Sequence, residues 1–251
     1  MLNLVSIDKR FGNLPALSAI TIEFGRNETV GLIGPNGSGK TTLVNVATAI
    51  YGPDSGKILF KGADITNLGA HRIFRLGIAR TFQNLRHFPR MTALANVEAA
   101  QYGIPGNSLL HLLLGNRRTA RSLRENAEWA LEQVGLQDVR DRLANALPLP
   151  QLRRLEIARI LARDPELVFL DEPAGGMTPA ESEDMARLIV ERVTPNRTCI
   201  VIEHKIELIV QVCSRVCVLD AGLLIADGNP RQVLALPAVA EAYLGREAAV
   251  A

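Results

Sequence analysis

The stretch "ETVGLIGPNGSGKTTLVNVATAI" constrains the fold of this chain more than any other. An apolar run ends at Ile33, the loop Gly34, Pro35, Asn36, Gly37, Ser38, Gly39, Lys40, Thr41 follows, and a helical pattern continues through Thr42. Glycines let backbone N–H groups converge on a phosphate chain at a helix amino terminus. In the order G-x-x-x-x-G-K-[ST], Lys40 is predicted to neutralise terminal phosphates and the Thr41 hydroxyl to hold Mg2+. Average residue usage yields this order by accident about once in a hundred chains of this length. Strand, glycine loop and helix together predict an α/β fold.

The rest of the chain agrees with that frame. "ELVFL" and "TCIVIEH" are continuous apolar runs suited to strands covered on both faces, so the sheet is expected to be mainly parallel. "YGPDSGKILFKGADIT" predicts a small antiparallel excursion around Ile58 to Phe60. Residues 84–157 read as a helical lobe inserted into a core formed by 1–83 and 158–251, all within a single domain. Within the lobe, Ser122 and Glu125 have capping-box spacing, Leu123, Ala127, Leu131 and Val134 share a face, and Gly135 supplies the stop. Thr178, Pro179 and Glu181 predict a second capping box, on a helix closed by Thr194-Pro195.

A net charge of +2 is too balanced for a chain that grips nucleic acid through a basic face, so no nucleic acid partner is expected. Cys199, Cys213 and Cys217 have neither metal-ligand nor CxxC spacing and are expected to be buried, reduced thiols. "MLNLVSIDKRFG" lacks the features of a signal peptide, and runs such as "LLHLLLG" fall short of the ~18 residues that span a bilayer. The expected location is cytoplasmic, with membrane contact only through partners.

"LVFLDEP" places Asp171 and Glu172 at the carboxyl end of a strand, where ligands bind in open α/β sheets. Asp171 is expected to hold Mg2+ through water, and Glu172 to orient and deprotonate an attacking water. With the phosphate loop, these motifs resemble the ATP-binding-cassette (ABC) ATPases over nearly the whole chain. The resemblance implies a P-loop (RecA-like) core with an antiparallel β subdomain and an inserted α-helical subdomain, ATP and Mg2+ as cofactors, and ATP hydrolysis coupled to transport. It also implies that Gln83 in "RTFQ" senses the γ-phosphate and Mg2+, that His204 in "IEH" contacts the γ-phosphate, and that Phe11 in "KRFGNLPAL" stacks on adenine. Transmembrane permease subunits and a second ABC ATPase subunit are the implied partners.

A narrower likeness lies in "KRFGNLPAL", "TFQNLRHFPRMTALANVEAAQY", "RRLEIAR" and "EAYLG". These resemble ATPase subunits of branched-chain amino acid importers of the LivG type, a group whose relatives import urea or amides. The lipopolysaccharide-export ATPase shares the terminal "YLG" but matches less well around residues 82–102. A soluble ABC protein without a transport role is a further alternative, and such proteins usually carry two cassettes or a long coiled coil.

One segment departs from the family. Its signature loop, usually L-S-G-G-Q or L-A-Y-G-Q, caps the ATP held by the other subunit, and here Pro148, Leu149 and Pro150 replace its middle between Leu147 and Gln151. Two N–H donors and a hydroxyl are lost, and a bulky side chain stands where backbone should approach phosphate. In "AGGMTP", Met177 and Thr178 replace the usual leucine and the aspartate or asparagine that crosses the dimer interface. Elements acting on the chain's own nucleotide look intact, while those acting on a partner's look eroded. An asymmetric heterodimer is the favoured expectation; a homodimer, or a drifted loop of no functional use, remains open.

Overall fold

The computed structural model describes residues 1–83, 85–102 and 117–247. The apolar run at 109–115 lies outside them. In chain order the elements begin with β1 (Leu2–Phe11), β2 (Leu14–Phe24), β3 (Thr29–Ile33), α1 (Lys40–Ala47), β4 (Ser55–Phe60) and β5 (Ala63–Asp64). Next come α2 (Ala70–Arg75), β6 (Ile78–Arg80), α3 (Ala93–Ala100), α4 (Arg117–Gln133), α5 (Leu149–Leu161), β7 (Leu167–Asp171) and α6 (Pro179–Leu188). The chain ends with β8 (Thr198–Ile202), α7 (Ile206–Val212), β9 (Arg215–Asp220), β10 (Leu223–Gly228), α8 (Pro230–Leu234) and α9 (Pro237–Glu247).

Two compact units share these elements, Met1–Ile73 with Asn196–Ala251, and Phe74–Pro195. The first unit holds an antiparallel sheet in the order β2-β1-β4-β5. One face of it is covered: Leu2, Leu4 and Ile7 of β1 and Ile20, Ile22 and Phe24 of β2 are buried, with exposed or half-buried residues between them. The excursion around Ile58 to Phe60 is strand β4, antiparallel to β1. The same unit holds β10-β9-β3-β8, in which β3 runs parallel to both β8 and β9 and β10 is antiparallel to β9. All five residues of β3 and all five of β8 are buried, which explains their unbroken apolar runs.

In the second unit β6 and β7 pair in parallel, and β7 is buried throughout. Leu123, Ala127, Leu131 and Val134 form one buried face, and Gly135, at φ 70°, ends that helical segment in the left-handed conformation glycine adopts most cheaply. The capping box expected at Ser122 is not formed. The chain is already helical from Arg117, so Ser122 is interior, and Glu125 pairs with Arg121 at 2.7 Å, one turn away on the same face.

The capping box at Thr178 is present in full. Its hydroxyl accepts the Glu181 N–H, the Glu181 carboxylate accepts the Thr178 N–H, and Pro179 follows in the first turn. Thr178→Ala should therefore destabilise the protein by about 1 kcal/mol, read as a lower midpoint in urea unfolding with an unchanged slope. All three cysteines are free and buried, and burial pushes the Cys199 and Cys217 thiols up to about 12. Such thiols are poor nucleophiles and metal ligands at neutral pH.

Candidate functional site

The phosphate loop leaves the carboxyl end of β3 and enters α1 at Lys40. Gly34, Gly37 and Gly39 have φ of 144°, 74° and 105°. A Cβ at Gly34 would stand 2.0 Å from the Leu219 carbonyl oxygen, and one at Gly39 would stand 2.7 Å from that of Ala16. Both glycines are therefore obligatory, through backbone conformation and space together. The hairpin between β9 and β10 backs the loop, because the Gly222 N–H donates to Ser38 O at 3.0 Å.

Lys40 Nζ donates to Gly34 O at 2.7 Å and to Pro35 O at 2.9 Å, which draws its ammonium across the loop's own backbone. Pro35 and Ser38 are buried, whereas Asn36, Gly37 and Thr41 are exposed and Thr42 is half-buried. A cradle of this shape, with a cation across it and a helix behind it, fits a phosphate chain. Gly34→Ala should abolish nucleotide binding by equilibrium dialysis; retained affinity would show that the loop tolerates displacement from Leu219.

Two further predicted residues lie in this unit. Phe11, at the end of β1, is 46% exposed and meets Tyr51 edge to face at 5.4 Å, leaving ring surface for a planar base. Because β8 is parallel to β3, with Leu32 beside Ile202, His204 leaves the same end of the sheet as the phosphate loop. Its side chain is 57% exposed, and its Nδ1 lies 3.9 Å from Glu203 Oε2. The Glu203 carboxylate also accepts the His204 and Lys205 N–H groups, which fixes the turn that presents the imidazole.

The carboxylates belong to the second unit. Asp171 is almost wholly buried at the end of β7, accepts from Arg80 Nη2 at 3.1 Å, and donates its backbone N–H to Thr81 Oγ1 at 2.7 Å. Burial pushes its carboxyl above the usual range, and the Arg80 guanidinium opposes that shift. Glu172 holds φ at 48°, a conformation costing about 1–3 kcal/mol for a residue with a Cβ and one that concentrates at functional sites. Its Oε2 accepts from Gln83 Nε2 at 3.2 Å, and Arg153 Nη2 donates to the Gln83 carbonyl at 3.2 Å.

Gln83, Asp171 and Glu172 thus form one cluster, while Phe11, the phosphate loop and His204 are presented by the other unit. Asp171 and Gln83 offer oxygen donors of the kind that suit Mg2+, as does the Thr41 hydroxyl. Among the described residues no group of three or more His, Cys, Asp or Glu side chains has metal-binding geometry, so a bound cation would take much of its coordination from phosphate and water. Arg80, Thr81 and Glu203 were not singled out from the sequence. Arg80, Thr81 and Glu203 sit in or beside "RTFQ" and "IEH", but nothing local reveals their partners.

The deviant segment is the amino terminus of α5. Pro148 occupies the N-cap at φ −66° and ψ 160° without a side-chain cap bond, and Pro150 follows in the first turn. The helix forms despite both prolines because first-turn N–H groups have no intrahelical partner. Leu149 packs on the loop after β7, its Cδ2 lying 2.8 Å from where a Cβ on Gly176 would stand.

A family model described as "ABC transporter" matches residues 17–175, more than half the chain. The chain belongs to the ABC transporter family. Over 98% of its own length and 98% of each relative, this cassette is 39% identical to the high-affinity branched-chain amino acid transport ATP-binding protein BraF of Pseudomonas aeruginosa and 38% identical to LivG of Escherichia coli K12. A solved ATP-binding cassette of an ABC transporter in an ADP conformation is 32% identical, with a TM-score of 0.84 and 98% of each chain covered. The P-loop ATPase fold and an ATPase activity coupled to transport follow from this membership. No helix among the described residues is long and apolar enough to cross a membrane.

Proposed function

We propose that this cassette hydrolyses ATP for an importer of branched-chain amino acids or a related small polar solute such as urea or an amide. Identity of 39% and 38% over 98% of the chain with two branched-chain amino acid transport ATP-binding proteins supports that reading. The cassette works at the cytoplasmic face, where closure around ATP pulls on permease subunits docked near Gln83. Phe11 stacks on adenine, the loop from Gly34 to Thr42 wraps the phosphates, and Lys40 neutralises them. Glu172 takes the proton of the attacking water, while Gln83 and His204 report on the γ-phosphate. Thr41, Asp171 and Gln83 would hold Mg2+, which supplies charge neutralisation at the phosphates.

The working assembly is an asymmetric pair. The prolines flanking Leu149 withhold N–H donors, Leu149 lies against Gly176, and the Thr178 hydroxyl is engaged by Glu181. This chain therefore completes a partner's nucleotide site poorly and is itself served by a second cassette with an intact signature loop. Deleting the gene should lower uptake of radiolabelled leucine, or of urea, by at least about tenfold. The wild-type chain should restore uptake and Lys40→Ala should not. Unchanged uptake of both solutes would reject the substrate class.

A further inference from the structure

The segment "EAYLG", residues 241–245, takes no part in the nucleotide site described above, yet the fold brings its tyrosine to that site. Within the first unit, α9 packs on β10 and α8. Val239 of α9 is buried, and Tyr243 follows one turn later on the same face. The Tyr243 hydroxyl is buried and completes no hydrogen bond of ordinary geometry. The Gly34 N–H faces it closely enough to oppose the upward push that burial gives the phenol, without the alignment of a full bond.

Gly34 is the residue through which β3 enters the phosphate loop. Its φ of 144° and the nearby Leu219 carbonyl leave it no room on the side of the β9–β10 hairpin. Its own carbonyl accepts from Lys40 Nζ at 2.7 Å. A phosphate chain competes for that ammonium, so nucleotide binding weakens one of the bonds that orient Gly34. A buried hydroxyl without a partner is costly, and a change that completes its hydrogen bond is favoured accordingly.

We propose that Tyr243 is a positioning residue for the phosphate loop: when nucleotide draws Lys40 from the Gly34 carbonyl, the Tyr243 hydroxyl accepts the Gly34 N–H and holds the first glycine of the cradle in place. The C-terminal helix thereby sets how tightly the loop grips nucleotide, and it does so without touching the reacting atoms. Ring and hydroxyl have separate tasks. The half-buried ring packs whether or not nucleotide is bound, whereas the hydroxyl is satisfied only in the bound state. This role rests on the nucleotide site proposed above.

Tyr243→Phe deletes the hydroxyl and keeps the ring. In the full chain it should weaken ATP binding, measured by equilibrium dialysis, by about three- to tenfold, the effect of one hydrogen bond. KM for ATP should rise in step, kcat should stay within about twofold, and the midpoint of urea unfolding should not fall. In protein labelled with 15N at glycine, saturating ADP should move the Gly34 amide proton downfield in wild type and much less in Tyr243→Phe. A packing role alone predicts the reverse, a lower urea midpoint with affinity and amide shift unchanged, and that result overturns the proposal.

Lys40→Ala, measured beside it, separates this role from the site on which it rests. If Lys40→Ala loses ATP binding while Tyr243→Phe binds as wild type does, Tyr243 has no positioning role and the nucleotide site stands. If Lys40→Ala binds ATP as tightly as wild type, the nucleotide site and the role of Tyr243 fall together.

Discussion

Glu172→Gln should lower the rate of ATP hydrolysis by about 10²–10⁴-fold while leaving ATP affinity within about threefold. The carboxylate stands at the carboxyl end of a fully buried strand, so its Cα is as fixed as the sheet itself. Its left-handed backbone at φ 48° is tolerated only because the surrounding fold holds it there. The 3.2 Å bond from Gln83 is one that glutamine at 172 can still accept through its amide oxygen, so the substitution removes the base with little change in shape. Single-turnover hydrolysis, with nucleotide binding measured separately, reads both quantities. Retention of more than a tenth of the wild-type rate would take Glu172 out of the base's role.

Restoring the loop with Pro148→Ser, Leu149→Gly and Pro150→Gly should raise hydrolysis by the isolated chain by about a hundredfold or more. Each donor aimed at developing negative charge contributes a factor of about 10²–10³ in well-studied hydrolases, and the wild-type loop lacks several. The structure adds a steric element, since Leu149 fills the space beside Gly176 that a smaller residue would leave open. The two glycines should cost stability, about 1 kcal/mol each where they are helical, an effect a urea titration separates from the gain in rate. An unchanged rate, already well above that of Glu172→Gln, would mean that this loop does not limit catalysis and that the asymmetric mechanism is wrong.

Legibility followed the range of the interactions. Capping at Thr178 was readable because every group in it lies within three residues. The same spacing at Ser122 misled, because S-x-x-E recurs inside helices and nothing local says that helix already runs from Arg117. The prolines around Leu149 stand at a helix start, which first-turn geometry, also local, allows.

The sequence by itself determined the phosphate loop, the buried strands and the order of the motifs, because each rests on backbone conformation or periodicity within a dozen residues. Only the tertiary structure decided that Arg80 neutralises Asp171 across 91 positions, or that Gln83 meets Glu172 across 89. It alone gathered Arg80, Arg86, Arg159 and Arg163 around one cavity with the carboxylate of Glu156. Charge balance is a property of a place rather than of a segment, and a chain of net charge +2 shows no trace of it until folding brings distant side chains together.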